Sequence, residues 1–502
     1  MALVTCNRWD GGKAQDLRTN AGNTFYVAQH FDIRANPHKL NPLRAMEEDS
    51  SGITSNNIRG FAFTPSSGLG TSIFGLGRIS SGDARGQIFT KGSLTTAWTT
   101  TSGTNTSVGS TVVQNTLQRY GPQGINYLYY LNLHTNGTSI IVSQYNVQAD
   151  SFTDSVMTLA NGQSSLTNNI YPKSCVHSQD NKIYFGAYNK IGSIDNSFTT
   201  ADISTVNSIT FPPNYYQTSI CEYGNFLAYA LRDVNGTGNS RVFLWDRDTS
   251  QTTFNQSIDW GDGDLMVVEN IYGYLVGVSV TGSTIAHSNY RIMVKIFDGV
   301  RPVLVKEIYS STVPTLYNYK DKINDQLVFA ANLDSVYSLY VLGKNTLGEW
   351  YLTEAYVPSS GTTSIDGFGL LGDVAYVAYD NAGAIKRSND TAGYADNSTL
   401  QSTINPNMPE IDRLKPKALR TVKVSCAPLP SGGSLTLSVS VDGAAYAACS
   451  AYSTTGGTGE ERMFDANGAQ FAQGTEFQFK VVSTGGAAPT AITYDYEPND
   501  SF

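Results

Sequence analysis

The chain has 502 residues, of which only 15% are charged, with 47 Gly, 30 Tyr and a formal net charge of −9. An acidic chain without a basic stripe excludes a nucleic-acid or anionic-membrane partner, because nothing is placed to neutralise phosphates. Forty per cent hydrophobic residues exclude a disordered chain, and abundant Tyr, Thr, Val, Gly and Asn favour short strands joined by tight turns.

Residues 1–58 read as an extended N-terminal arm with one or two strands around Phe25-Tyr26-Val27-Ala28 and Phe31-Asp32-Ile33. One of these strands is expected to complete the last blade of the domain that follows, or else to pack on a neighbouring subunit. A strand near Phe25–Ile33 would then serve folding, and the Trp9 region assembly. Within the arm, Glu47-Glu48-Asp49 reads as a solvated loop, since three consecutive carboxylates cannot all point into one pocket. No Sec-type signal precedes the arm, and no run has the length of a membrane span.

From residue 59 to 395 a short alternating run next to a turn returns about every 40 to 50 residues, the spacing of propeller blades. The copies are Tyr127-Leu128-Tyr129-Tyr130-Leu131, Lys182-Ile183-Tyr184-Phe185-Gly186, Phe226-Leu227-Ala228-Tyr229-Ala230, Tyr274-Leu275-Val276-Gly277-Val278, Gln326-Leu327-Val328-Phe329-Ala330 and Val374-Ala375-Tyr376-Val377-Ala378-Tyr379. Val242–Trp245, Ile292–Phe297 and Val336–Leu342 read as outer strands. One such unit cannot bury both faces alone, so the expected fold is all-β, a β-propeller of about seven blades. Residues 396–412, rich in Asn, Ser, Thr and Pro, read as a linker. From 413 to 502 strict period-two runs such as Leu435–Val441 and Phe477–Val481 predict a small C-terminal β-sandwich.

Candidate chemistry is sparse. Asp259-Trp260-Gly261-Asp262-Gly263-Asp264 is the densest carboxylate group and reads as an inter-blade turn, with Asp259, Asp262 and Asp264 holding a calcium ion as the alternative. His30, His38, His134, His177 and His287 are isolated and form no metal-binding motif. Gly68-Leu69-Gly70 with Gly75-Leu76-Gly77 lacks the strand–helix setting of a phosphate cradle. Cys6, Cys175, Cys221, Cys426 and Cys449 lie far apart in an odd number, which suits free thiols in a reducing cytosol. The sequons at Asn105, Asn136, Asn235, Asn255, Asn389 and Asn397 read as turn asparagines. Asn345–Trp350 is a distant echo of a sialidase box without its Ser and Asp. Tyr127, Tyr129, Tyr130, Tyr215 and Tyr216 read as inter-blade packing, with sugar stacking as the second reading. The sequence thus predicts no catalytic residue, no cofactor and no metal.

The opening Arg8-Trp9-Asp10-Gly11-Gly12, Asp16 and Phe31-Asp32-Ile33 to Pro42 resembles that of tailed-bacteriophage tail and tail-nozzle proteins. The stretch Pro428-Leu429-Pro430 through Val441-Asp442-Gly443, and Ser483-Thr484-Gly485-Gly486 to Tyr494 and Glu497, is similar to small β-sandwich modules appended to them. The resemblance implies a non-enzymatic structural component of a virion, in tail, baseplate or neck, assembled in the host cytoplasm. Its implied partners are other virion proteins and further copies of itself in a symmetric ring or shell. A receptor- or glycan-binding adhesin on the virion is the second expectation, and a carbohydrate-active propeller enzyme the third.

Overall fold

The computed structural model describes the chain apart from residues 1, 10–11, 14–17, 19–23, 35, 37, 54–57, 59, 64–72, 81–82, 105–117, 121–126, 134–138, 148, 161–172, 188–189, 195–202, 207–208, 234–238, 282–289, 311, 346, 357, 359–360, 381–383, 390–392, 395–397, 449–450, 464–471 and 499–502. Strand accounts for 63% of it and helix for 1%, so the protein is all-β, as the composition requires. Among the described residues no helix is long and apolar enough to cross a membrane.

Among the described residues, seven four-stranded antiparallel sheets follow one another along the chain, and each is a propeller blade. Their first strands are Gly60–Phe63, Gln118–Tyr120, Ser174–Val176, Tyr215–Tyr223, Asp264–Ile271, Thr315–Ile323 and Ile365–Leu371. Each first strand lies beside the first strand of the next blade, and the seventh lies beside the first, so they ring an axis. The six copies of the recurring run are the second strands of blades 2 to 7, Tyr127–Leu133, Ile183–Ala187, Phe226–Asp233, Tyr274–Thr281, Gln326–Leu333 and Val374–Tyr379. The runs read as outer strands lie in third strands, for example Asn239–Trp245 and Arg291–Phe297.

Period-two alternation explains how blades stack. In the second strand of blade 4, Leu227, Tyr229 and Leu231 pack with Tyr184, Ile191 and Phe211 on one side. Ala228 and Ala230 face the other way, with Trp260, Leu265 and Val268. Large residues on one face and small ones on the other let a wedge-shaped blade sit against both neighbours. Each large side chain taken fully out of water contributes about 1.5–3 kcal/mol. Gly277, in blade 5, is a close approach: a Cβ there would lie 2.5 Å from Cζ2 of Trp260.

The seventh blade is completed from the N-terminal side. Glu47–Glu48 pairs antiparallel with Ala384–Arg387, in the register Glu47 to Arg387 and Glu48 to Lys386. The solvated-loop reading of Glu47-Glu48-Asp49 is therefore corrected. The backbone of this acidic run supplies a ladder, and Asp49 continues it by donating its N–H to the Ile385 carbonyl at 2.8 Å. The expected blade-closing strand near Phe25–Ile33 is corrected with it, because closure falls to residues 47–48.

By packing the chain divides into residues 47–338 with 358–387, and residues 1–46 with 339–357 and 388–502. The second of these units contains the β-sandwich. One sheet has the order Ala2–Cys6, Pro489–Pro498, Lys417–Cys426, Gly459–Met463, with Ala472–Gly474 also on Lys417–Cys426. The other has the order Ala447–Ala448, Ser434–Val441, Phe477–Thr484, Ser398–Gln401, Val27–Gln29. Strict alternation buries Phe477, Phe479, Val481 and Ser483 while their neighbours stay half-buried. Phe479 meets Tyr494 with ring centroids 4.8 Å apart. The segment 1–29 thus supplies an edge strand to each sheet, and Trp9 is buried. The stretch 396–412 holds the strand Ser398–Gln401 and the start of the single-turn helix Glu410–Arg413.

Candidate ligand site on the propeller axis

The first strands run parallel around the axis. The Thr218 hydroxyl donates to the Leu265 carbonyl at 2.6 Å, and the Ser219 hydroxyl to that of Val268 at 3.3 Å. The Tyr317 hydroxyl accepts from the Ile365 N–H, and Asp321 Oδ2 from the Leu370 N–H. Both partners advance together in every case. All the turns that leave these strands consequently lie at one end of the axis.

Side chains joining blades that are not neighbours must cross that axis. Asn318 of blade 6 donates to the Thr218 carbonyl of blade 4 at 3.0 Å. Lys320, two residues on, donates to the carbonyls of Ile220 at 2.6 Å and Val268, and to Glu269 Oε2 at 2.7 Å. These three bonds use all three donors of its ammonium. Lys322 approaches the other Glu269 oxygen at 3.3 Å. Burial alone would push the Glu269 carboxyl up, but Lys320 and Lys322 outweigh it and hold the group below its ordinary value. Asp321 goes the other way, raised by burial despite accepting from the Lys322 and Leu370 N–H groups.

Lys173, just before the first strand of blade 3, reaches the same place. Its Nζ lies 4.5 Å from the centroid of the Tyr319 ring, on blade 6. Tyr319 stacks on Tyr317 at 5.8 Å and 11°. Burial, with Lys320 nearby, lowers the Lys173 amine to about 7. Lys173 is half-buried. Cys175 lines the same stretch, its thiol pushed up to about 12 by burial.

Where the axis opens, two turns carry aromatic residues. Tyr223-Gly224-Asn225-Phe226 leaves the first strand of blade 4, with Gly224 at φ +59°. Tyr272-Gly273-Tyr274 leaves that of blade 5, with Tyr272 at φ +51° and Gly273 at +79°. Successive positive φ values are what a two-residue hairpin turn requires. Tyr272 and Tyr274 are 39% and 37% exposed.

The structure separates the sequence candidates. Asp264 is buried and pairs with Arg232 at 3.1 Å. Asp259 accepts from its own turn at the Gly261 N–H, 2.9 Å away. Asp262 and Asp259 both act on the Lys295 ammonium. Gly261 and Gly263 adopt φ +74° and +96°, and the three carboxylates divide between Arg232 and Lys295. Among the described residues no group of three or more His, Cys, Asp or Glu is arranged to hold a metal ion.

His38 binds the Asn7 carbonyl at 2.9 Å and His30 donates its N–H to Glu354, while His134 and His287 lie outside the described residues. His177 is buried, its Nδ1 3.0 Å from Arg247 Nη1. Asn345 braces its own turn by accepting from the Leu347 and Glu349 N–H groups. Cys6, Cys175, Cys221 and Cys426 are free thiols, and Cys449 lies outside the described residues. Tyr215 and Tyr216 are half-buried, and nothing is described of the side chains of Tyr127, Tyr129 and Tyr130. Sequence reasoning missed Lys173, Glu269 and Lys320. The available signal was the polar alternation Asn318, Lys320, Lys322 in a strand that the blade pattern makes axial.

No protein-family model matches the chain, and no curated protein matches its sequence. Among solved structures it is similar to the exo-β-1,3-galactanase of Phanerochaete chrysosporium bound to galactose, at 11% identity, with 89% of this chain and 100% of that one covered and a TM-score of 0.33. It is similar to the α-L-arabinanase of Penicillium chrysogenum bound to arabinobiose, at 10% identity over 70% and 98% of the two chains, TM-score 0.33. It is also similar to the Dos1 propeller, at 9% identity over 75% and 95%, TM-score 0.40. These findings correct the expectation of a non-enzymatic structural component of a phage virion: the structures that the chain matches are glycoside hydrolases and other propeller proteins. At such identities the likeness concerns the fold alone.

Proposed function

We propose that the propeller is a saccharide-binding module that acts by recognition and not by bond cleavage. The reading rests on one observation, the exposed pair Tyr272 and Tyr274 on the turn that ends an axial strand. A tyrosine ring offers a flat apolar face that suits the C–H face of a pyranose, and its hydroxyl stays in water. The neighbouring Tyr223 and Phe226 are partly buried against the core between blades 4 and 5, which steadies this end of the ring. Recognition without cleavage fits the state of the axial carboxylates, since Glu269 is held by two lysines and Asp321 by two backbone N–H groups.

A glycan array probed with the full chain tests the proposal. Specific retention is expected, weakened roughly tenfold by Tyr272→Ala or Tyr274→Ala, as loss of one aromatic contact of about 1.4 kcal/mol implies. An array without specific signal, or one indifferent to both changes, would overturn it. Turnover of an oligosaccharide by the pure protein would overturn the non-catalytic half.

A further inference from the structure

We propose that His177 is the proton-sensitive pin of a latch, which holds the turn of blade 3 to that of blade 4 while the imidazole is neutral and releases it once the imidazole takes a proton. The inference stands apart from the saccharide reading. Ser178-Gln179-Asp180-Asn181 follows the first strand of blade 3, and Tyr223-Gly224-Asn225-Phe226 that of blade 4. The Ser178 N–H donates to Glu222 at 3.2 Å, and the Ser178 hydroxyl donates to the same carboxylate. The Gln179 side chain donates to Asn225 Oδ1 at 2.6 Å. Arg247, beyond the third strand of blade 4, ties the two turns together. Its Nη2 donates to Gln179 Oε1 at 2.8 Å and to the Asn225 carbonyl at 3.2 Å, and its Nη1 to Asp180 at 3.1 Å. The Arg247 backbone sits at φ +73°, which is unfavourable for a residue with a Cβ, so these contacts must hold it there.

The His177 side chain is wholly buried at this junction. Its Nδ1 lies 3.0 Å from Arg247 Nη1 and 3.3 Å from the Gln179 backbone nitrogen. A guanidinium and a backbone N–H only donate, so Nδ1 accepts and the latched imidazole is neutral. A proton on Nδ1 removes both bonds and sets an imidazolium against a guanidinium. Glu222, 3.9 Å away, Asp180 and the Gly224 backbone favour that proton. Both carboxylates are already engaged, however. Glu222 accepts from Ser178, and Asp180 from the Tyr184 hydroxyl, the Lys182 N–H and Arg247. Burial and Arg247 therefore prevail and hold His177 below its ordinary value. The open latch accepts a proton below about pH 6.5 that the closed latch refuses, so the closed form is fully favoured above that pH and loses ground as pH falls.

Hydrogen exchange of the full chain at pH 7.5 and 5.5, corrected for the pH dependence of exchange in an unstructured peptide, tests the inference. Amides in residues 177–181 are expected to open about tenfold more often at pH 5.5, one pH unit below the value of a free histidine. The increase should be the same with and without urea below the unfolding transition, because a local opening exposes little surface. His177→Gln, whose amide oxygen accepts from Arg247 but takes no proton, should keep the protection seen at pH 7.5 and lose the pH effect. If that variant fails to fold, Arg247→Gln replaces it: the imidazolium then meets no cation, and the pH effect should shrink. Equal opening at both pH values would overturn the proposal. So would an increase that grows with urea, which marks unfolding of the whole protein, or a pH effect undiminished in the substituted chain.

Discussion

Lys91 Nζ lies 2.7 Å from both carboxylate oxygens of Asp49, and no solvent reaches the lysine side chain. Asp49 follows the strand that completes blade 7, whereas Lys91 ends the third strand of blade 1. Trp98 of blade 1 donates its indole N–H to the Asp49 carbonyl at 2.7 Å. Tyr376 of blade 7 packs edge-on against Trp98, with centroids 6.3 Å apart. The residue that leaves the closing strand is thus clasped by the blade on the far side of the seam.

Asp49→Ala should destabilise the propeller by about 3–5 kcal/mol, because it strands a buried ammonium. Replacing the pair together, Asp49→Leu with Lys91→Met, should recover most of that loss, since burial already works against the Asp49 carboxylate. Urea denaturation of the two variants checks both statements, and equal losses would refute the clasp.

Gly277→Ala should cost roughly 1–3 kcal/mol, the usual penalty for overpacking. The added methyl would meet the Trp260 indole, which has no room to withdraw from the interface of blades 4 and 5. Thermal denaturation measures the loss. Tryptophan emission should shift with it if the indole is displaced.

His177 should make the propeller acid-sensitive. Burial first, and then the Arg247 guanidinium, depress its pKa below the ordinary histidine value. The folded state therefore refuses a proton that the unfolded chain accepts below about pH 6.5, and stability falls as pH drops through that value. Chemical denaturation at pH 7.5 and 5.5 should show a smaller pH effect in His177→Gln. An unchanged pH effect would refute the assignment.

Removing residues 1–15 should weaken the β-sandwich and not merely shorten a tail. It strips Ala2–Cys6 from Pro489–Pro498, and with it the buried Trp9. Limited proteolysis should then cut within 417–498 faster than in the full chain. Equal protection would show that the edge strand is dispensable.

The architecture was legible because alternation and turn chemistry are local. Ala228 and Ala230 between Leu227, Tyr229 and Leu231 announce a strand buried on two unequal faces, and the return of that pattern announces a propeller. Phe477, Phe479 and Val481 announce one sheet of a sandwich in the same way. Partner choice is not local. Glu47 and Glu48 have poor strand propensity and were drawn into a ladder by the unpaired edge of Ala384–Arg387, more than 300 residues away. Val27–Gln29 met the edge of Ser398–Gln401 for the same reason. Lys173, Glu269 and Lys320 lie on three blades and share no motif. Only closure of the ring brings them to one axis, where a low dielectric makes the count of donors and charges decisive.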